Sequence, residues 1–278
     1  MISAEGLLTF ITLLPLLAGL NVTIGNTMMQ ANIGENVSLQ CHFTLKENTP
    51  ESWLKTLFLQ WNRKDEVMSV YSIENGMPNF EHQAIAYKNK VIFDEKQLPH
   101  GKATLVLTNV QVNHEGIYQC YVQLSIMEEG EAQLHLSLVA NYSKPIVSCS
   151  EEMNGFVNLS CQVSGGYPEG VLEWRFSNGT QITDIVMNTL VHKDEKTSLY
   201  SLFSVILILK NLVPEIACVV RNPRTAIEVQ EEVKCQEDLS QSRGKIGIIC
   251  SAVLLLGLLG LFVTAKCCCK RAPCRIKL

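Results

Sequence analysis

The stretch Asn113-His114-Glu115-Gly116-Ile117-Tyr118-Gln119-Cys120 decides the fold. A tyrosine two residues before a cysteine, after a glycine and a polar turn, is typical of the sixth strand of an antiparallel two-sheet sandwich. In that setting the cysteine bridges the two sheets, and the tyrosine hydroxyl bonds to the backbone a few residues upstream. The stretch therefore predicts an immunoglobulin sandwich, with Tyr118 and Cys120 in its core.

The residues before and after this stretch supply the other strands of a variable-type sandwich. Val37–Cys41 alternates apolar with polar residues and carries the partner cysteine at its end. Leu57–Trp61 brings a tryptophan to the third strand, where it packs on the inter-sheet disulfide. Further strands are predicted at Val67–Tyr71, the extra strand of a variable-type domain, and at Lys102–Val110 and Gln133–Leu138.

A second copy of the same pattern follows from about residue 141. Val157–Cys161 repeats the Val-x-Leu-x-Cys spacing, and Trp174 and Cys218 complete a second Cys-Trp-Cys set. Leu199–Leu209 is a long apolar strand, and Ile216 stands where the corner tyrosine would be. The shorter interval between the cysteines leaves no room for extra strands. The whole chain is therefore predicted to be all-β, with tandem variable-type and constant-type immunoglobulin sandwiches and one transmembrane helix.

Both ends of the 278-residue chain carry apolar segments. The N-terminal segment is too short to span a bilayer and is typical of a secretory signal peptide. The run 246–265 has no charged residue and is followed by basic residues, which predicts a membrane helix with a cytoplasmic C-terminus. The expected order is signal peptide 1–22, variable-type domain 23–140, constant-type domain 141–235, stalk 236–245, transmembrane helix 246–265 and cytoplasmic tail 266–278. We expect a single-pass type I protein of the plasma membrane, anchored in the lipid bilayer, with an extracellular ectodomain.

Six of the eleven cysteines fall in the predicted ectodomain. An even number in an oxidising compartment predicts three disulfides. The two Cys-Trp-Cys sets pair Cys41 with Cys120 and Cys161 with Cys218. Because spacing alone does not determine connectivity, the third pair stays open, and the ends of the second domain favour Cys149 with Cys235.

Several sequence motifs predict covalent modification. Asn-x-Ser/Thr sequons, which are acceptors for N-linked glycans in a secreted chain, occur at Asn21, Asn36, Asn141, Asn158 and Asn178. Asn21 falls within the predicted signal peptide, so the expected acceptors are Asn36, Asn141, Asn158 and Asn178. Cys267, Cys268 and Cys269 lie beside the predicted membrane helix and basic residues, which predicts S-palmitoylation. The alternatives for these cysteines are a metal cluster that includes Cys274, or unmodified thiols.

Composition and motifs argue against several classes of function. The net charge of −4 gives no reason to expect binding to nucleic acid. The chain has no Gly-x-Ser-x-Gly, no phosphate-binding loop and no His-Glu-x-x-His. We therefore expect no enzyme, no cofactor, no catalytic or metal site and no small-molecule substrate. The predicted tail has no Tyr, Ser or Thr, which favours a protein that presents a signal over one that receives it.

Several stretches together resemble the costimulatory-ligand (B-seven)/butyrophilin family of immune surface proteins, and the programmed-death ligands most of all. They are Glu95–Ala103, Val110–Cys120, Val139–Pro145, Gly166–Pro168 and Trp174. The likeness covers roughly residues 30–265. It departs at His114, where the family usually has an acidic residue that pairs with a basic one. Here Lys88 or Lys90 would be the basic residue, and Glu115 would have to replace the acid.

The resemblance implies that the front sheet of the first domain binds a receptor. If Trp61 and Cys120 point inward, strand alternation places alternate residues outward. The candidate receptor-binding residues are Phe58, Gln60, Tyr71, Gln119, Tyr121 and Gln123, with His135 as a further outward position. The alternative is that neighbours in the same sheet cover these side chains.

The expected function is a cell-surface ligand that modulates T-cell activation, by co-stimulation or co-inhibition. Its partner would be a co-signalling receptor of the immunoglobulin superfamily on T cells. Two other classes stay open: an immune receptor that signals through a partner, and a homophilic adhesion protein.

Overall fold

The computed structural model describes residues 19–47, 49–182 and 187–235, which form two β-sandwiches in series. The predicted membrane segment 246–265, the tail with Cys267, Cys268 and Cys269, and the first 18 residues lie outside these ranges. Within the described ranges, no helix combines the length and apolar character that crossing a membrane requires.

The first sandwich contains eleven strands. They are β1 (Val22–Thr23), β2 (Met28–Asn32), β3 (Val37–Leu39), β4 (His42–Phe43), β5 (Phe58–Arg63), β6 (Tyr71–Glu74), β7 (Met77–Asn79), β8 (Val91–Phe93), β9 (Leu105–Leu107), β10 (Gly116–Ser125) and β11 (Glu128–Val139). The front sheet has the order β2-β11-β10-β5-β6-β7, and the back sheet has the order β3-β9-β8. Strands β6 and β7 are the additions that distinguish a variable-type domain. Short 3₁₀ turns lie at Glu51–Lys55, Ile85–Tyr87, Glu95–His100 and Val112–His114.

The stretch that decided the fold forms the corner of this sandwich. Cys120 is bonded to Cys41 across the two sheets, and Trp61 is fully buried beside it. The Trp61 indole Nε1–H donates to the carbonyl oxygen of Ala103 at 3.0 Å. The Tyr118 hydroxyl donates to the carbonyl oxygen of His114 at 2.7 Å, as the spacing predicted. The tyrosine corner and the variable-type fold are confirmed.

The strand predicted at Val67–Tyr71 was wrong in its position, because the strand lies further along the chain at Tyr71–Glu74. The strand begins at Tyr71, which is opposite Trp61 in the register of β5 and β6. Tyr71 therefore shares the inward side of Trp61, is 5% exposed, and stacks on Phe93 with ring centroids 4.7 Å apart. Tyr71 is a core residue and does not belong to the candidate receptor-binding set.

The second sandwich has the four-plus-three strand arrangement of a constant-type domain. Its strands are β12 (Ile146–Glu151), β13 (Phe156–Gly166), β14 (Val171–Phe176), β15 (Met187–Lys193), β16 (Tyr200–Leu209), β17 (Ile216–Arg221) and β18 (Glu228–Glu232). The two sheets have the orders β12-β13-β16-β15 and β14-β17-β18. Short 3₁₀ turns lie at Met153–Gly155 and Lys210–Glu215.

The core of the second sandwich has the same arrangement of a disulfide and a buried tryptophan as the first, but its tryptophan donates to a side chain instead of a backbone carbonyl oxygen. Cys161 is bonded to Cys218, and the fully buried Trp174 donates from its indole N–H to Ser204 Oγ at 3.1 Å. Cys149 and Cys235 are each disulfide-bonded, and their pairing with one another stays a prediction.

The first domain begins before residue 23. The backbone N–H of Leu20 donates to the carbonyl oxygen of Glu129 at 2.9 Å, and Val22 in β1 pairs with Phe43 in β4. Residues 19–22, which the sequence assigned to the signal peptide, therefore take part in the fold. The small residues that suggest signal cleavage extend over several positions here, so they did not define the boundary closely.

Side chains from both sandwiches meet at the junction. The Asn222 amide Nδ2 donates to the carbonyl oxygens of Ala140, at 3.1 Å, and Tyr167, at 2.9 Å. The Arg224 guanidinium donates from Nη1 to Glu115 Oε2 at 2.6 Å and from Nη2 to Glu115 Oε1 at 3.2 Å. Glu115 thus does not replace the missing acid beside Lys88 or Lys90. It anchors the first sandwich to the second.

His114 is a buried aromatic ring at the tyrosine corner. Its imidazole is 1% exposed and stacks on Tyr87 with ring centroids 5.3 Å apart. Nδ1 accepts the backbone N–H of Gln111 at 3.0 Å, and Nε2 is buried. Burial lowers the pKa of His114 below its usual 6.5, a hydrogen bond with the Ala86 backbone offsets part of this shift, and the nearby Lys90 and Arg63 lower the pKa further.

We expect the first domain to lose stability as the pH falls below about 6.5. The lowered pKa means that the unfolded chain takes up a proton at His114 before the folded chain does. One such proton contributes at most about 1.4 kcal/mol per pH unit to the slope of unfolding free energy against pH. Denaturant unfolding at pH 7.0 and pH 5.5 gives the unfolding free energy at each pH. Between these two values, the unfolding free energy should fall less for His114→Gln than for the wild type. Equal slopes would show that His114 does not titrate in this window.

Candidate functional site

The outer face of β5 and β10 carries five of the six candidate residues. The register pairs Trp61 with Cys120, and both are fully buried. Because side chains alternate along a strand, the neighbouring positions point to the other side. Five of the candidates lie on that outer side, and all five are half-buried: Phe58, Gln60, Gln119, Tyr121 and Gln123. The sixth candidate, Tyr71, lies in the core.

Two aromatic rings meet at the centre of this face. The rings of Phe58 and Tyr121 are in an edge-to-face arrangement, with centroids 5.9 Å apart and planes at 69°. The Tyr121 hydroxyl donates to Glu129 Oε2, which raises the pKa of Tyr121 to about 12. The phenol is therefore neutral at physiological pH and keeps its proton for a hydrogen bond. Such a ring offers a large apolar area with a polar end, which suits it to a protein interface.

Carboxylates line one side of the aromatic pair. Glu131 is directly opposite Tyr121 in the register of β10 and β11, and Glu129 is opposite Gln123. The Gln119 amide donates to Glu131, which orders both side chains. The sequence predicted a turn at Glu128–Glu131, whereas β11 already begins at Glu128. The alternation of polar and apolar residues from Glu129 to Leu138 was the signal that could have found these carboxylates.

The hairpin between β10 and β11 ends in two exposed apolar residues. Ile126 is 89% exposed and Met127 is 63% exposed. Together with Thr56, Gln123 and Leu124 they line an open groove at this end of the face. Exposed apolar side chains that adjoin one another are typical of a contact surface. The sequence did not identify them, because it placed the turn a few residues later.

The opposite end of the face is formed by Ile117 and His135, which are paired across β10 and β11. Ile117 is 41% exposed, and His135 is half-buried, with Nδ1 at 3.3 Å from Ser137 Oγ. His135 therefore lies on the outer side, as predicted. The whole surface is called the front face from here on. It consists of the outward residues of β5, β10 and β11 with the Ile126–Met127 hairpin tip.

The front face combines apolar and polar side chains. It is an open sheet surface with an apolar centre and polar edges, the layout of many protein interfaces. Among the described residues, no group of three or more His, Cys, Asp and Glu side chains is placed to hold a metal ion. The four predicted glycan acceptors lie outside the front-sheet strands. Asn36 precedes β3, Asn141 follows β11, Asn158 lies in β13 and Asn178 follows β14.

Comparison with known proteins gives the same two domains. Residues 24–139 match the immunoglobulin V-set domain family, and residues 142–230 match the Ig-C domain family described as butyrophilin subfamily 3 member A2-like. Human butyrophilin subfamily 2 member A2 is 28% identical over 192 residues, which is 69% of this chain and 35% of that protein. The chain thus spans about a third of the length of this relative.

Two solved structures share the fold. The crystal structure of bovine butyrophilin aligns with a TM-score of 0.66 and 23% identity, over 79% of this chain and all of that chain. A chain in the crystal structure of ICOS in complex with ICOS-L and an anti-ICOS-L VNAR domain aligns with a TM-score of 0.64 and 21% identity. That alignment covers 74% of this chain and 98% of the other. At this level of identity the likeness shows the fold alone.

Proposed function

We propose that this chain, which belongs to the costimulatory-ligand (B-seven)/butyrophilin family, is a cell-surface ligand that modulates T-cell activation. Its first domain binds a receptor of the immunoglobulin superfamily through the front face. The observation that carries this proposal is the half-buried, outward-facing Phe58–Tyr121 pair at the centre of an open sheet. One solved neighbour is a complex of ICOS with ICOS-L, which supports a partner of the immunoglobulin superfamily.

The energetics of protein interfaces favour this location. A few aromatic anchors near the centre of an interface carry most of the binding free energy, and a polar rim excludes water around them. Phe58 and Tyr121 are the anchors here, and the rim consists of Gln60, Gln119 and Gln123. The exposed Ile126–Met127 tip extends the apolar area beyond the sheet.

The charge of the front face defines its partner further. Glu129 and Glu131 point outward, and the outward positions of β5, β10 and β11, all of them described, include no Lys or Arg. An acidic face with an apolar centre fits a partner with a basic rim, and this complementarity speeds association. Two copies of the same face would bring like charges together. Homophilic adhesion through this face is therefore disfavoured.

The experiment that tests the proposal is a screen of the tagged ectodomain against a library of cell-surface receptors, followed by a T-cell proliferation assay. The variant Gln60→Arg places a long cationic side chain beside Tyr121, its partner in the register. We expect it to lose capture of the receptor and to lose the effect on proliferation. Gln230→Arg makes the same change on β18 of the second domain and should leave both unchanged.

Two outcomes would contradict the proposal. One is the capture of no receptor at all by the wild-type ectodomain. The other is a receptor that binds Gln60→Arg as tightly as the wild type, which would place its site elsewhere on the molecule.

A further inference from the structure

Strand β16 is apolar on both of its sides. Leu202, Ile206 and Ile208 point into the core of the second sandwich and are buried. Phe203 and Leu207, on the other side, are 37% and 43% exposed. Antiparallel sheets with one face in water usually alternate apolar with polar residues, and a strand that is apolar on both sides is typical of one covered on both.

The neighbouring strands enlarge this apolar surface. Phe156 in β13 is opposite Leu209, and Leu190 in β15 is opposite Phe203. Ile146 in the edge strand β12 lies on the same side, with Gln162 between it and Phe203. These side chains, with Leu207, define the outer face of the second domain, and each of them is at least one-third exposed. A contiguous exposed apolar patch on an extracellular domain is usually covered by something.

The acceptor asparagine of one sequon lies in the middle of this outer face. Asn158 is directly opposite Leu207 in β16, and its strand neighbours Val157 and Leu159 are buried. Its side chain therefore points outward, between Leu207 of β16 on one side and Ser150 of β12 on the other. Nδ2 donates to Glu152 Oε1 at 2.5 Å, so the amide is held at the surface. The sequon is completed by Ser160, two residues along the same face.

We propose that an N-linked glycan on Asn158 lies over the outer face and prevents two copies of the chain from associating through it. Glycosylation forms a bond between Asn158 Nδ2 and the C1 carbon of the first N-acetylglucosamine. The pyrophosphate of the lipid-linked oligosaccharide donor leaves, and the amide loses one proton. The remaining N–H can still donate to Glu152.

The position of the acceptor favours the glycan over other occupants. Residues directly opposite in a sheet lie about 5 Å apart, and diagonal neighbours lie about 7–8 Å apart. The first sugars are thus attached within reach of Leu207, Leu209 and Phe156, and their C–H surfaces can cover those side chains. The covalent link gives the glycan a high effective concentration at the face. Two packed sheets lie only about 10 Å apart, so a glycan in this space would exclude a second copy.

The test uses the full chain expressed on mammalian cells. Mass spectrometry of the peptide that contains Asn158 reports its occupancy, and a membrane-impermeant crosslinker reports self-association at the surface. Ser160→Ala removes the sequon but keeps Asn158, and we expect it to raise the crosslinked dimer several-fold. Ser160→Thr keeps the sequon and should match the wild type. Asn178→Gln removes a different glycan and should also match it.

Two further measurements keep the test decisive. Adding Leu207→Ser to Ser160→Ala should return the dimer to the wild-type level, because it removes the apolar centre of the face. Where Ser160→Ala fails to reach the surface, enzymatic removal of glycans from the folded wild type should produce the same dimer. An unoccupied Asn158, or a dimer fraction that does not respond to loss of the glycan, would overturn the proposal. The inference depends on an extracellular second domain and is independent of receptor binding by the front face.

Discussion

Replacing Tyr121 by alanine is expected to weaken receptor binding about 30-fold or more while the first domain stays folded. Truncation of a central aromatic anchor typically costs at least about 2 kcal/mol of binding free energy, and each 1.4 kcal/mol corresponds to about tenfold in Kd. Tyr121 supports the ring of Phe58 and orients the Glu129 carboxylate. Its loss therefore disturbs both the apolar centre and the acidic edge of the front face. Surface plasmon resonance with the captured receptor measures the change.

Tyr121→Phe is the matched control for this prediction. Phenylalanine keeps the ring beside Phe58 and loses only the hydrogen bond to Glu129. We expect its affinity to remain within a few-fold of the wild type, because the ring supplies most of the buried area. The variants should unfold at the same temperature as the wild type, since Tyr121 lies outside the core. Wild-type affinity of Tyr121→Ala would remove Tyr121 from the binding site.

The front-face residues of β5 and β10 could be predicted because one anchor determines them. Once Cys120 is assigned to the inter-sheet disulfide, the twofold period of a strand assigns every other residue of β10. Trp61 does the same for β5. Gln60, Gln119 and Tyr121 therefore lie on the predicted side of the sheet. Alternation is reliable along a strand whose register is anchored by a residue of known direction.

Tyr71 could not be placed in this way because β6 has no such anchor. The start of the strand depends on backbone pairing with β5, where Tyr71 is opposite Trp61. A shift of one residue in register moves a side chain to the other face. The hydrophobic residues before Tyr71 do not indicate which face of the sheet its side chain belongs to. The backbone N–H of Val70 donates to the carbonyl oxygen of Trp61 at 2.8 Å, which a sequence pattern does not show.

The role of Glu115 was hidden for a different reason. A local pattern suggests a local ion pair, yet the partner of Glu115 is Arg224, 109 positions further along the chain. That contact exists only because the two sandwiches meet at one junction. Because Glu115 and Arg224 belong to different domains, the sequence pattern of the variable-type domain alone could not indicate that they pair.

Replacing Arg224 by methionine is expected to loosen the junction and to lower the unfolding free energy by about 2 kcal/mol. The change removes a bidentate ion pair with Glu115 and a hydrogen bond to the carbonyl oxygen of Leu138. It also removes the guanidinium from the ring of Tyr167, whose centroid lies 5.6 Å from Arg224 Cζ. Both charged side chains are about a quarter exposed, so we expect less than the 3–5 kcal/mol of a fully buried pair. Denaturant unfolding measures the loss, and small-angle X-ray scattering should show a wider range of interdomain angles.

A double-mutant cycle separates the ion pair from the other contacts of Arg224. If the pair carries the effect, Glu115→Gln and Arg224→Met together should cost clearly less than the sum of the single variants. Arg221→Met is the control, because its guanidinium Nε is 3.9 Å from Glu228 and its side chain is 40% exposed. Exposed pairs of this kind contribute about 0–1 kcal/mol, so this variant should remain near the wild type. Additive losses in the cycle would instead assign the stability to packing on Tyr167. Unchanged scattering from Arg224→Met would show that Asn222 and its two carbonyl partners hold the junction without the ion pair.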